Sequence, residues 1–291
     1  MRKISLLAAA AVAASIVGAA NAGTIVFSDN FNRASLGATW TITKTGTGND
    51  FGASIVTNRA QLTNDATAAT NQSGSVSMAT ALTGFTGYGI PPSALFHGKL
   101  NANQQYVEWT LNMQQIRPDP AGYATGGSYG AAFILAGTNA NFSGAGQGYA
   151  IVYGQSGTTD PIRLATYNNG LSGTLTNIIT ATGALTDVGA EYMSLKVRYT
   201  VATNNWQLWG RNDSGSFADP ATGTLTSLGT IVNSTYTNVT MTHMGAEWNG
   251  STSANQTALF DNFTVSVPEP TSLSLLGLGA AGLLLRRRKT A

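Results

Sequence analysis

Residues 191–211 read EYMSLKVRYTVATNNWQLWGR, and this stretch decides the fold class. From Met193 to Val201 apolar residues alternate with polar ones, which is the two-residue period of a β-strand with one buried face. Residues 205–211 alternate in the same way. Between them lies Thr203-Asn204-Asn205, and asparagine tolerates the positive φ that a tight turn needs. The stretch therefore predicts a β-hairpin.

The same pattern recurs along the chain between residues 23 and 266. Further strands are predicted at 105–116, 129–136, 148–153, 161–167 and 258–267. Gly, Thr, Asn and Ser interrupt the sequence at short intervals without a sustained 3.6-residue period, which indicates many short strands. Long loops are predicted at 64–75, 85–92, 117–128 and 213–224. Since neither a repeat nor a Pro/Ser-rich linker divides residues 23–266, we expect one all-β domain, a two-sheet antiparallel sandwich.

Composition excludes several kinds of chemistry. The chain has no cysteine, which removes disulfides, Cys-ligated zinc, iron–sulfur clusters and thiol nucleophiles. His97 and His243 are the two histidines, too few for a site built on several. The two ends of the chain carry its formal charge of +2, because residues 23–266 hold 9 basic and 12 acidic side chains, a net charge of −3. This mildly acidic body predicts no binding to nucleic acid.

The amino-terminal segment has the features of an export signal. Met1-Arg-Lys precedes an apolar run that is rich in alanine, and Ala20-Asn21-Ala22 has the small-x-small pattern of a cleavage site. We predict a signal helix over residues 1–22 with the mature chain beginning at Gly23. A membrane-spanning anchor is the alternative, for which the run is at the short limit.

The carboxy-terminal segment combines three features in order. Val267-Pro268-Glu269-Pro270 is followed by a 13-residue apolar stretch, Leu273–Leu285, and then by Arg286, Arg287, Arg288 and Lys289. The prolines end the preceding strand, because proline donates no ladder hydrogen bond. The basic cluster would hold its end of a short transmembrane helix on the cytoplasmic side.

In this order and position, residues 267–291 resemble the PEP-CTERM sorting signal of Gram-negative bacteria. The resemblance implies recognition by an exosortase, a membrane transpeptidase-like enzyme. It also implies transient anchoring in the inner membrane, cleavage near the motif, and release or attachment at the cell surface, often alongside exopolysaccharide production. A plain tail anchor is the alternative.

A series of segments begins with Phe27–Trp40 and continues with Tyr106–Trp109, Tyr129–Leu135, Gly148–Tyr153, Met193–Tyr199, Trp206–Gly210 and Leu259–Val265. In this order the segments resemble concanavalin A-like lectin and glucanase domains, and Phe27–Trp40 is similar to the first strand and turn of that fold. The resemblance implies that the sandwich of residues 23–266 is a jelly roll with one concave sheet face.

The carboxylates do not form a catalytic pattern. A glycosidase needs two carboxyl groups about 5–9.5 Å apart, and glucanases of this fold cluster them on one strand. Here Glu108, Glu191 and Glu247 each stand alone, and neither histidine lies near a Gly-x-Ser-x-Gly elbow. We predict no catalytic residue, and Glu108 is the isolated acid that we single out as a possible ligand contact. A solvated strand carboxylate is the alternative for Glu108.

A calcium ion could connect the first and last strands. Asp29-Asn30 and Asp261-Asn262 supply the hard oxygen ligands that calcium prefers, and they would converge if their strands were neighbours. Asp29 and Asp261 are therefore the predicted ligands of a structural calcium, with an ordinary turn or capping role as the alternative.

Carbohydrate binding would need exposed aromatic faces beside amides and carboxylates. Trp109 and Trp206 fall on apolar faces and are predicted to be core residues. Trp248, in the loop-like sequence Gly245–Gly250, is predicted to be exposed, as are Tyr123 and Tyr129. The alternative for each of the three is a packing role.

Together these features predict an exported protein of the cell surface or extracellular matrix that binds exopolysaccharide without catalysis. A glycoside hydrolase or lyase of the same fold, and a purely structural or adhesion protein of the matrix, are the alternatives.

Overall fold

Strand formation dominates the structure, a computed structural model that describes residues 23–46, 51–64, 73–82, 96–123, 129–157, 159–250 and 257–268. The predicted signal helix, with Ala20 and Ala22, lies outside these residues. So do Glu269, Pro270, the predicted tail helix and the basic cluster 286–289.

The described residues form fifteen strands, two 3₁₀ turns (Leu100–Ala102 and Val201–Thr203) and no α-helix. The strands are β1 (Thr24–Asp29), β2 (Thr41–Gly46), β3 (Gly52–Val56), β4 (Arg59–Thr63), β5 (Gly74–Ala81), β6 (Tyr106–Gln115), β7 (Gly130–Gly137), β8 (Gln147–Tyr153), β9 (Arg163–Asn168), β10 (Thr174–Thr180), β11 (Met193–Thr200), β12 (Asn205–Asn212), β13 (Thr226–Val232), β14 (His243–Gly250) and β15 (Thr257–Val267). None of the helices in the described residues is long and apolar enough to cross a membrane.

The fifteen strands form two antiparallel sheets. The eight-stranded sheet has the order β13-β12-β11-β6-β15-β4-β3, and β1 also pairs with β15. The seven-stranded sheet has the order β10-β9-β8-β7-β14-β5-β2. The predicted all-β, two-sheet antiparallel jelly-roll sandwich is therefore confirmed.

The stretch 191–211 forms the predicted hairpin. Met193 to Thr200 pairs in continuous register with Asn212 to Asn205, and Asn204 takes the expected left-handed conformation with φ of 49°. The strands predicted from alternation are present as β6, β7, β8, β9, β11, β12 and β15.

One prediction about loops is wrong, because Gly245–Gly250 belongs to β14. Of the predicted loop 64–75, residues 65–72 lie outside the described residues and β5 begins at Gly74; the predicted loop 85–92 also lies outside the described residues. Both strands consist of residues that are nearly all buried on the two faces of the seven-stranded sheet, so neither shows a clear apolar–polar alternation.

Aromatic side chains fill the core between the sheets. The ring of Trp206 stacks on Tyr149 at a centroid distance of 4.3 Å and on Trp109 at 6.1 Å, and Tyr199 lies 4.8 Å away. The indole N–H of Trp206 donates to the main-chain oxygen of Asn233 at 3.0 Å. Trp109 and Trp206 are fully buried, as predicted.

A second apolar cluster covers the outer face of the seven-stranded sheet. Alanines and other apolar residues of β5, β7, β8 and β9 form its floor. Tyr123, Phe142 and Leu171 come from connecting segments and pack on this floor. Small residues on the strands leave room for these larger side chains, so the described part of this face is packed rather than open.

Candidate functional site

Glu247 is a fully buried carboxyl group in β14. Because Trp248 points into the core, alternation places Glu247 on the outer face of the seven-stranded sheet. The hydroxyl of Ser77, directly opposite on β5, donates to Oε2, whereas Oε1 has no hydrogen-bond partner in the described residues. Burial raises the pKa of Glu247 to about 8, although hydrogen bonds from Ser77, Ser75 and Ser143 act in the opposite direction. The carboxyl group is therefore mostly protonated at neutral pH.

The segment that carries Tyr123 closes this face above Glu247. The Tyr123 hydroxyl donates to the main-chain oxygen of Glu247 at 3.4 Å, and its side chain is buried. Gly122 has a φ of 55°, and a Cβ there would collide with the carbonyl group of Gly154. Glycine thus allows this segment to lie directly on the β8–β9 connection. The prediction that Tyr123 is an exposed aromatic is wrong.

Arg163 forms hydrogen bonds that hold the same segment in place. This buried guanidinium donates to the main-chain oxygens of Gly154, at 2.9 Å, and Gly122, and to Oδ1 of Asn177 at 2.8 Å. Burial lowers the pKa of Arg163 to about 10. Three hydrogen-bond acceptors replace water around the buried guanidinium, so Arg163 has a structural role.

Trp248 is a core residue, contrary to the prediction that it is exposed. Its side chain is fully buried between the sheets, and its indole N–H donates to Oδ1 of Asn64 at 3.2 Å. A buried ring cannot stack on a sugar. The prediction is wrong because Gly245 and Gly250, residues typical of a loop, lie within strand β14.

Tyr129 is half-buried, and a cation covers its ring. The guanidinium carbon of Arg117 lies 4.2 Å from the ring centroid. One face of this tyrosine is therefore already occupied. Its role as a sugar contact stays a prediction.

Glu108 lies on the outer face of the eight-stranded sheet, since Val107 and Trp109 on either side point into the core. Arg198, directly opposite on β11, forms an ion pair with Glu108 at 2.7 Å. The guanidinium carbon of Arg198 also lies 4.5 Å from the ring centroid of Tyr106. The carboxylate thus has a partner on its own sheet.

Asp29 organises the turn that follows β1. Its Oδ1 accepts hydrogen bonds from the main-chain N–H of Phe31 and from Arg33, and its Oδ2 accepts from Arg33 and from the indole of Trp40, all at 2.6–2.8 Å. Burial would raise the pKa of Asp29, but the hydrogen bonds from Arg33, Trp40 and Phe31 outweigh burial and lower it.

The structure brings the two segments of the predicted calcium site together. Strand β1 pairs with β15, with Asp29 opposite Phe263. Burial raises the pKa of Asp261 to about 6, a shift that Arg59 opposes and Asp29 reinforces. However, four N–H donors occupy the oxygens of Asp29, and the described residues contain no group of three or more His, Asp or Glu suited to a metal ion. The surroundings of Asp29 and Asp261 therefore do not fit a calcium site. Calcium binding elsewhere in the chain stays a prediction.

An open cleft of about 500 Å³ lies beside these segments, on the eight-stranded sheet. Strands β1 and β15 contribute its floor, and residues 219–221 of the connection between β12 and β13 form one wall. Polar lining residues include Ser28, Asn30, Asp219 and Asn262, and Ile25 supplies an apolar side chain that is 55% exposed. The cleft therefore has both the open space and the polar side chains that a ligand would need.

The sequence did not identify the cleft as a site. Asn30 and Asn262 were considered only beside the two aspartates, and Asp219 falls within the predicted loop 213–224. The available signal was the pair of Asp-Asn sequences at the two ends of the body, whose side chains would converge if β1 and β15 were neighbours. The contribution of residues 219–221, which come before β13 and β14 in the chain, could not be inferred from that signal.

Residues 266–289 match the family model of the PEP-CTERM protein-sorting motif. The chain carries a PEP-CTERM sorting motif. This motif indicates export and membrane-anchored sorting, and it includes the predicted Val267-Pro268-Glu269-Pro270 sequence and the basic cluster. The match covers the tail alone. Among curated proteins, no sequence matches the chain.

Solved structures show the fold of the body that precedes the PEP-CTERM motif. The Emp47p carbohydrate recognition domain is similar over 85% of this chain and 97% of that chain, with a TM-score of 0.53 and 10% sequence identity. Lectin UEA-II, complexed with galactose, is similar over 84% and 100%, with a TM-score of 0.52 and 13% identity. At these identities the likeness establishes a lectin-like, concanavalin A-like fold and nothing further.

Proposed function

We propose that the chain is a cell-surface or extracellular-matrix protein, sorted by an exosortase, whose single domain at 23–266 binds saccharide without catalysis. The observation that carries the proposal is the combination of a PEP-CTERM motif with a lectin-like fold. A sorting motif requires an exported body, and two proteins that share the fold are a carbohydrate recognition domain and a lectin complexed with galactose. Exopolysaccharide is the ligand that would be encountered outside the cell.

The positions of Glu108 and Glu247 argue against these two acids acting together in hydrolysis. Glu108 lies on the outer face of one sheet, and Glu247 lies on the outer face of the other. Packed sheets are about 10 Å apart, so both sheets separate these two carboxyl groups, which cannot act on one glycosidic bond. The nearest cross-strand neighbours of Glu247, Ser77 and Ala132, are not acidic.

The packed outer face of the seven-stranded sheet favours a second candidate function. Because Tyr123, Phe142 and Leu171 cover its described part, a purely structural or adhesion role would need no ligand at that face. The test that separates the two functions is direct binding of glycans.

We expect the full chain, purified in detergent, to bind at least one polysaccharide on a glycan array. The physical reason is that the fold presents polar groups at an open cleft on the eight-stranded sheet. Heat-unfolded protein is the control for nonspecific adsorption. If the folded chain binds no glycan more strongly than the unfolded control, the structural role is correct and saccharide binding is wrong.

Sorting can be tested separately in a Gram-negative host with an exosortase. We expect Glu269→Ala, and replacement of Arg286, Arg287, Arg288 and Lys289 by Gln, to leave most of the protein in the membrane fraction, because the first alters the motif and the second the topogenic charge. Thr271→Ala is the control in the same tail. Release of the two test variants at the level of the control would contradict exosortase sorting.

A further inference from the structure

We infer that the cleft beside β1 and β15 is the saccharide site, and that its ligand is a neutral oligosaccharide or polysaccharide segment. This inference rests on the proposed function and gives it a location. It places binding on the eight-stranded sheet, on the opposite side of the sandwich from the packed face around Glu247.

The size of the cleft suits a sugar of one to a few units. Ligand pockets have volumes of roughly 300–1,000 Å³, and this cleft has about 500 Å³. The left-handed conformation of Asn262, with φ of 46°, interrupts the pairing of β15 with β6 between Asp261 and Thr264. This bulge turns Asn262 out of the regular pleat at the floor of the cleft.

Each of three polar side chains in the cleft is held by one hydrogen bond and has a further donor or acceptor atom available for a ligand. Oδ1 of Asp219 accepts the N–H of Ala221 at 2.8 Å, and its other oxygen has no partner in the described residues. Oδ1 of Asn30 accepts the N–H of Asn32 at 3.2 Å, which leaves the amide nitrogen to donate. Nδ2 of Asn262 donates to Asn112 at 2.8 Å, which leaves the amide oxygen to accept. Held donors and acceptors of this kind match sugar hydroxyl groups.

The charges of the cleft select against an acidic ligand. Arg33 already pairs with Asp29 at 2.6 Å, so its positive charge is compensated. The exposed Asp219 adds a carboxylate without a cation paired to it among the described residues. A uronic acid polymer would bring more negative charge to this surface, whereas a neutral sugar donates hydroxyl hydrogens to the carboxylate.

Two variants test the location. Ala221→Trp fills the cleft from an exposed wall residue, and Asp219→Asn removes the carboxylate but keeps an oxygen for the N–H of Ala221. The matched controls are Ala202→Trp, at an exposed alanine in the turn at the opposite end of β12, and Asp187→Asn. Asp187 is also exposed and also accepts one main-chain N–H, that of Asp160 at 3.2 Å.

The measurement is binding of the full chain, in detergent, to surfaces that carry galactan, mannan, β-glucan or alginate. We expect binding to a neutral polymer, a loss of affinity of about tenfold or more for each test variant, and unchanged affinity for each control. If circular dichroism shows that Ala221→Trp does not fold, the affinity of Asp219→Asn alone tests whether the cleft is the binding site.

The outcomes separate the two proposals. Unchanged binding by the folded test variants overturns the cleft assignment and leaves the proposed function intact. Binding to alginate alone overturns the inference of a neutral ligand. Absence of binding by the parent chain to every surface overturns both saccharide binding and the cleft assignment.

Discussion

Replacing Trp206 by alanine is expected to lower the free energy of unfolding by about 3–5 kcal/mol. The indole is fully buried and lies against Tyr149, Trp109 and Tyr199 at centroid distances of 4.3, 6.1 and 4.8 Å. Its removal leaves a cavity between both sheets and an unpaired main-chain oxygen at Asn233. Urea unfolding followed by circular dichroism measures the change.

Trp209→Ala is the matched control on the same strand. Trp209 lies on the outer face of the eight-stranded sheet, half-buried, with the ammonium nitrogen of Lys196 at 4.7 Å from its ring centroid. Its loss should cost about 1 kcal/mol. Equal losses for the two variants would contradict the placement of the core between the sheets.

Glu247→Gln is expected to change how stability depends on pH. Since burial raises the pKa of the folded state to about 8 from the ordinary 4.5, the folded chain holds a proton that the unfolded chain releases between these two values. Stability contributed by Glu247 is therefore complete below pH 4.5 and is lost as pH rises to 8. At about 1.4 kcal/mol per pKa unit, the loss is on the order of a few kcal/mol. Glutamine mimics the protonated acid and should remove this loss.

Asp261→Asn distinguishes Glu247 from a general effect of removing acids. Burial raises the pKa of Asp261 to about 6 from 3.8, so its own contribution has the same sign but is lost between pH 3.8 and 6. Urea unfolding at intervals from pH 4 to 9 should show a flatter profile above pH 6 for Glu247→Gln alone. An unchanged slope between pH 6 and 8 in that variant would show that Glu247 is ionised in the folded chain.

Alternation is clearest in strands such as β11 and β12, which have one face in the core and a more exposed outer face. The hairpin of β11 and β12 was found with its turn, because side chains such as Val197 and Lys196 report opposite environments. By contrast, nearly all residues of β5 and β14 are buried, on both faces of the sheet. Periodicity is a weak signal for such strands, although β7, β8 and β9, which are also buried on both faces, were predicted.

The candidate sites show a similar division. The sequence predicted the convergence of Asp29 and Asp261 only on the condition that their strands are neighbours, and the structure meets that condition by pairing β1 with β15. It did not foresee that Arg33 and Trp40 occupy the carboxylate of Asp29, since that depends on the turn geometry after β1. For Trp248, local glycine content suggested a loop, whereas tertiary packing determined that the ring is buried.

The pairing of β1 with β15 also has a mechanical consequence. Thr24 lies opposite Val267, so the predicted mature start and the exit to the PEP-CTERM tail are side by side. While the tail holds the chain to a surface, any drag on the body pulls along β15. That strand is hydrogen-bonded to β1, β4 and β6, and a pull along its axis loads these ladders together in shear rather than one bond at a time. An attachment through the tail would therefore load a strand that three neighbouring strands hold by hydrogen bonds.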